Sequence, residues 1–378
     1  MRLSCQQEHL HRGLSAVARA IPARSTLPIT NHVLLEAEGD LITLSATDAE
    51  TIAITYRIPG EIGESGSLTL PSRLLSDFVA SLPHSPIEMT LAERSRQVHL
   101  SCARNEASIG GMDPEDFPPI PLVADVSPVR IPAAGLRLAL SQVVFAAATD
   151  DSRPVLTGVQ LVMSDKQVVL AAADGFRLSV HTLELPEETE DRTAIVPARA
   201  LGELLRLLPE AGDEPVSVTF NTAGTQAQFD LGHATLIAQL VQGTFPNYEQ
   251  LIPPSYSTRT EVQVDEFKRE TRIASIFARD GSGIVRIIAT AGKRGETGRL
   301  LISARAEEIG TNEGELDVLV TGEEAKIAFN GRYLTDVLDV IGTDRVAIET
   351  SSPSSPGVFR PVGDDSFVHV VMPMFVQW

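Results

Sequence analysis

At 378 residues the chain exceeds what one ordinary core holds, and that length predicts two or three domains. Apolar residues make up 43 % and charged residues 21 %, the proportions of a globular protein, and no apolar run approaches the roughly 18 residues of a membrane span. The formal net charge of −19 counts against a nucleic-acid partner unless positive charge is gathered on one face, because phosphate binding draws on Lys and Arg.

The opening "MRLSCQQEHLHRG" lacks the apolar core of a signal peptide, which predicts a cytoplasmic protein. A first helix over 8–20 leads into alternating strands through "LPITNHVLLEAEGDLITLSATD" and a second helix over 72–82 after "LTLP". The order then recurs 126 residues on: a helix over 133–148, strands through "RPVLTGVQLVMSDKQVVLAAAD" and a helix over 198–208 after "AIVP". Leu10/Leu136, Pro28/Pro154, Val33/Val159, Asp48/Asp174 and Pro83/Pro209 keep that spacing, an ungapped match over some 75 residues. A looser third copy has helices over 264–279 and 331–341 and the strand "GIVRII" between them. Insertions at 292–298 and 351–365 mark it, and the first of them brings the later offset to 133.

"FPPIPLVADVSP" and "FPNYEQLIPPSYS" are too rich in proline to be helical and mark the joins, giving domains 1–126, 127–253 and 254–378. The predicted class is α+β: three tandem copies of one sheet-rich domain. In the second helix of each copy, apolar residues at 74, 75, 78, 79 and 82 and their counterparts form one packing stripe. The opposite face carries Arg73, Arg199 and Arg332. Cys5 and Cys102 form neither a CxxC pair nor a disulfide framework and read as free thiols.

The threefold repeat, "TLPI" after Arg24, "RPVLTGV", "ADGFRLS", "FPNYEQLIP" and "VVMPM", in that order over the whole chain, resembles the bacterial β sliding clamp family, the DNA polymerase III β subunits. The resemblance implies a head-to-tail homodimer closed into a six-domain ring, sheets outside and helices lining a hole for double-stranded DNA. It implies a processivity factor that tethers the replicative polymerase, and that also meets the clamp loader and repair proteins through short linear motifs. The six helices carry eleven Lys or Arg against eight Asp or Glu, a net +3 that leaves −22 for the rest. A weakly positive bore in an acidic shell suits sequence-independent sliding.

The family pattern places DNA contacts on Arg24, Arg73, Arg153, Arg199 and Arg206. It places a peptide-binding groove between domains 2 and 3 on Leu156, on Ala173, Gly175, Phe176, Arg177 and Leu178, on Pro246 and Leu251, and on Val370, Val371, Met372, Pro373 and Met374. Methionine side chains adapt to different partners. Ile109, Ile276 and Phe277 fall at the dimer contact. Departures stand at Ala80 and Ala198, where clamps often carry a basic residue, at Phe176 and Gln250, and in the tail "FVQW".

An enzyme is the competing class, and its signatures are missing. "TAGKRGETG" is not a phosphate loop, "GESGS" is not a nucleophile elbow, no HExxH occurs, and the eight His lack metal-ligand spacing. No catalysis, metal or cofactor is expected. The remaining alternative is a tandem-repeat protein-binding scaffold that never encircles DNA.

Overall fold

The computed structural model describes all residues except 23–26, 93–94, 122, 124–126, 280–281, 294–296 and 307–309. The first repeat runs β1 (Arg2–Gln6), α1 (Gln7–Val17), β2 (His32–Glu38), β3 (Leu41–Thr47), β4 (Ile52–Pro59), β5 (Glu61–Glu64), β6 (Gly66–Pro71), α2 (Ser72–Ser81), β7 (Pro86–Ala92), β8 (Gln97–Cys102) and β9 (Asn105–Gly110). The second runs β10 (Val129–Ile131), α3 (Ala133–Val143), β11 (Gly158–Ala173), β12 (Arg177–Pro197), α4 (Ala198–Leu207), β13 (Val216–Phe220), β14 (Gln226–Asp230) and β15 (Ala234–Gln239). The third runs β16 (Thr258–Gln263), α5 (Val264–Arg279), β17 (Ile284–Thr290), β18 (Gly298–Ala306), β19 (Gly310–Gly322), β20 (Ala325–Asn330), α6 (Gly331–Leu338), β21 (Arg345–Thr350), β22 (Gly357–Pro361) and β23 (Phe367–Val371).

The ladders repeat as the sequence does. In each copy the first strand pairs with the strand after the second helix, β1 with β7, β10 with β13 and β16 with β21. Sheet then crosses from copy to copy, β15 pairing with β4 and β23 with β12. Two compact units result, Met1–Ala134 with Arg199–Val241, and Gly135–Ala198 with Gln242–Trp378. The first holds a five-stranded sheet, β5-β1-β7-β8-β9, and an eight-stranded one, β10-β13-β14-β15-β4-β3-β2-β6. The second holds one ten-stranded sheet, β11-β12-β23-β22-β21-β16-β19-β18-β17-β20.

Helical spacing explains why these segments coil. In α1, Leu10, Leu14 and Val17 recur on one face and are sealed against Leu44 and Ile54 of the sheet. Gly13 lets the helix come close, since a Cβ there would stand 2.7 Å from Leu44. The second helices start where Pro71 or Pro197 ends a strand, and at α6 the Asn330 side chain caps Arg332 N at 2.9 Å. The predicted stripe is broken in α2, where Leu74 is exposed while Leu75 and Val79 fill the core. In the second unit Phe267, Phe329, Phe359 and Phe367 are fully buried at the centre.

The ungapped match between copies 1 and 2 does not survive in three dimensions. Thr47 pairs with Ala53, leaving five residues in the turn, whereas Ala173 pairs with Leu178, leaving four. Asp48 and Asp174 start these turns alike, each side chain accepting backbone N–H groups ahead of it. Copy 1 therefore carries one extra residue here, and beyond the turn Ile54, not Ala53, stands where Ser179 does.

Cys5 and Cys102 are both buried and free, and burial pushes the Cys5 thiol up to about 12, so it stays protonated and inert. Among the described residues no helix is long and apolar enough to cross a membrane, and no group of three His, Cys, Asp or Glu is placed to hold a metal.

Candidate functional site

The second unit gathers the distant groove segments. Phe176 O accepts from Met372 N at 2.8 Å, which fixes the turn after β11 beside the chain leaving β23. Gly175 adopts φ +93°, and a Cβ there would lie 2.9 Å from the Arg153 guanidinium, so both backbone conformation and close approach require glycine. Gly243 abuts Val155, where a Cβ would stand 2.7 Å away, and so brings the Pro246 segment to the turn that holds Leu156.

Leu156, Leu178, Val370 and Val371 are buried, and Ala173, Pro373 and Met374 are half-buried. The large apolar side chains left open are Phe176 (60 % exposed), Leu251 (47 %) and Met372 (42 %), with Pro246 exposed beside them. Exposed large apolar side chains of this kind are candidates for contact with another molecule.

Arg177 is buried and multiply bonded. Its guanidinium turns inward, donating to Asp174 at 3.0 Å, to the Phe145 carbonyl at 2.8 Å and to Asp336, and stacks over Tyr333 with its carbon 4.6 Å from the ring centroid. It therefore ties β12 to α6 and to the turn after α3. Behind it, Ser179 and His369 share a hydrogen bond of 2.7 Å. Burial, aided by the Arg177 cation, lowers His369 to about 3 and keeps it neutral. The Trp378 ring lies 6.0 Å from the Arg286 guanidinium on β17.

The predicted DNA contacts fall in several settings. Arg24 lies outside the described residues. Arg73 opens α2 with its side chain 97 % exposed, 3.9 Å from Asp77. Arg199 opens α4 and donates to Asp48 at 3.1 Å, and Arg206, about two turns later, donates to Glu203 at 2.7 Å. Arg153 belongs to the second unit, where it donates to the Asp174 carbonyl at 2.9 Å.

Around Arg206 the first unit holds a cleft of about 510 Å³ between α1, α2 and α4, lined also by His11, Arg12, Arg19 and His84. Arg12 and Arg19 line this cleft beside Arg206, and their counterparts 126 residues on are Leu138 and Phe145. Arg19 is held 3.7 Å from Glu203. Of the three residues expected at the dimer contact, Ile109 points into the core opposite Val98, since it sits on the covered face of β9. Ile276 is well exposed on α5, and Phe277 lies beside Gly310 at the start of β19.

Comparison with known proteins follows the repeat. Sequence profiles of the DNA polymerase III beta subunit match in three consecutive stretches: the N-terminal domain over 1–121, the central domain over 130–247 and the C-terminal domain over 249–375. The beta sliding clamp of Staphylococcus epidermidis is 29 % identical over 382 residues, covering 99 % of both chains. The DNA polymerase sliding clamp of Bacillus subtilis superposes with a TM-score of 0.91 at 25 % identity, covering 100 % of each chain. A Pseudomonas aeruginosa sliding clamp bound to griselimycin does so with a TM-score of 0.89 at 28 % identity, again over 100 % of each chain. On this combination of domain order and whole-length likeness, the chain belongs to the DNA polymerase III beta subunit family, the bacterial beta sliding clamps.

Proposed function

We propose that two copies of this chain close head to tail into a six-domain ring, pass duplex DNA through it, and carry the replicative polymerase, the clamp loader and repair proteins on the groove of the second unit. The observation that carries this reading is a pair of open sheet edges. The last strand of copy 2 covers β4, and the last strand of copy 3 covers β12. The equivalent strand of copy 3 is β19, whose stretch Gly310–Val318 pairs, among the described residues, on one side only, with β18. The last strand of copy 1 is β9, which pairs only with β8 among the described residues. Unpaired edges of this kind are templates for another strand. A second copy supplies each edge with the partner that the other two junctions already have.

In this reading the domains are 1–126, 127–253 and 254–378, and the protein acts in the cytoplasm without catalysing a reaction. Arg73, Arg199 and Arg206, together with Arg12 and Arg19, face phosphates through mobile, sequence-blind contacts, which hold DNA without stopping movement along it. The relative with griselimycin in place supports a ligand site on this fold. In this chain the open Phe176, Leu251 and Met372 favour the groove as that site.

The test is topological. Protein loaded by a clamp loader onto a nicked circle should survive high-salt gel filtration and be lost once the DNA is linearised. Equal retention on circular and linear DNA, with the mass of one chain in solution, would leave the protein-binding scaffold as the better account.

A further inference from the structure

The ladder that joins copies 1 and 2 has the register of the one that joins copies 2 and 3, so the groove has counterparts inside the first unit. Gln239 N donates to Thr51 O at 2.9 Å as Met372 N donates to Phe176 O at 2.8 Å. Ala53 pairs with Ile237 as Leu178 pairs with Val370. Pro118 of "FPPIP" takes the place of Pro246 of "FPNYE". These residues line a second groove of about 270 Å³.

We propose that this second groove docks an extended segment of a partner protein bearing one aliphatic side chain followed by Lys or Arg. The inference rests on reading the homologous groove as a docking site. Its floor is apolar and sealed by Ile52, Ala53 and Ile237. Alanine in place of leucine leaves room above the floor for one aliphatic side chain. The wall is the proline run at 118–121, interrupted only by Ile120, which offers few N–H donors and holds its own extended shape.

The rim sets the charge. Where the first groove opens on Phe176 and Met372, this one opens on Thr51 and Gln239, with Glu50 exposed alongside. Asp48 is already engaged by Arg199, whereas no described residue pairs with Glu50. A cationic residue on the occupant supplies that partner, while an aromatic one loses the apolar rim it finds in the other groove. One chain would thus present two docking addresses made by one repeat and told apart by charge.

Methyl-labelled Ile and Met in the full-length protein separate the two sites. The acetylated, amidated hexapeptide Gly-Gln-Leu-Arg-Gly-Gly is titrated in. Saturable shifts of the Ile52 and Ile237 methyls are expected, weakened about fivefold or more by E50K, and absent with Glu in place of the peptide's Arg. Silence of Ile52 and Ile237 up to about millimolar peptide overturns the proposal, as does a shift indifferent to E50K. A shift that follows protein concentration alone assigns the groove to a second copy and also overturns it. Movement confined to Met372 and Met374 defeats this inference while the first groove stands; no movement at any of the four methyls likewise defeats this inference alone, since the peptide lacks the aromatic side chain that suits the first groove.

Discussion

At the β4·β15 junction of the first unit, Arg19, in the turn just past α1, faces Glu203 on α4 at 3.7 Å, with its side chain 37 % exposed. At the β12·β23 junction of the second unit the acid in the same place is Asp336, but its cation comes from the strand: Phe145 replaces Arg19 in the turn past α3, and Arg177 projects from β12 with its side chain 7 % exposed. Moving one arginine from turn to strand takes a solvated ion pair and seals it under an aromatic ring. The register of the backbone ladder is common to both junctions, so this difference between the ion pairs comes from which side chains stand there. A buried, multiply bonded charge permits few arrangements of the groups around it. We read the second junction as the one that must keep its shape, because the groove stands on it.

The largest contrast comes from removing each arginine while keeping its volume. R177M leaves Asp174 and Asp336 without their buried partner and should cost about 3 kcal/mol or more in urea unfolding. R19M removes a partly exposed pair and should cost below about 1 kcal/mol. Equal losses would break the comparison.

Next in size is a pH effect confined to the second unit. His369 titrates at about 3 in the fold against the ordinary 6.5, so between those values the unfolded chain binds a proton that the folded chain refuses. Its stabilising effect is full above about pH 6.5 and falls on acidification, by about 2 kcal/mol between pH 7 and 5. Leu236 holds the equivalent place in the first unit, so H369L should flatten that slope; a slope unchanged in H369L would assign it to other groups.

The two turns sharpen the comparison further. G175A should lose about 1–2 kcal/mol, because alanine resists φ +93° and meets Arg153. Ala49 already sits at φ +65°, so A49G should gain no more than about 1 kcal/mol, the relief being offset by added chain freedom. Thermal unfolding reads both. The smallest effect belongs to R199A, which should lower the salt slope of DNA binding by about one counterion and leave stability within about 1 kcal/mol.

The helices were legible because their stripes are regular: Ala200, Leu201, Leu204 and Leu208 fall on one face of the chain at α4 and all are buried. The repeat was legible from proline and aspartate at fixed spacing. The extra residue in the turn after Asp48 was hidden, since a run of Ile and Ala aligns as well with Leu and Ser one step out of register. The groove's three segments could be named from the sequence, but Arg177's role could not, because its partner Asp336 lies 159 residues away and no local pattern joins them. Ile109 is β-branched and flanked by Ser108 and Gly110, which reads equally as a contact or as a core residue; only the face of β9 decides.

The chain has a single tryptophan, Trp378, and it rests beside Arg286 just beyond Met374. Its fluorescence is therefore a local lamp at the end of the groove strand. A change in its surroundings when an occupant shifts that strand should move its emission, giving an optical signal for docking without any label. The first unit, lacking any indole, stays dark in the same spectrum, so its unfolding must be followed by other means.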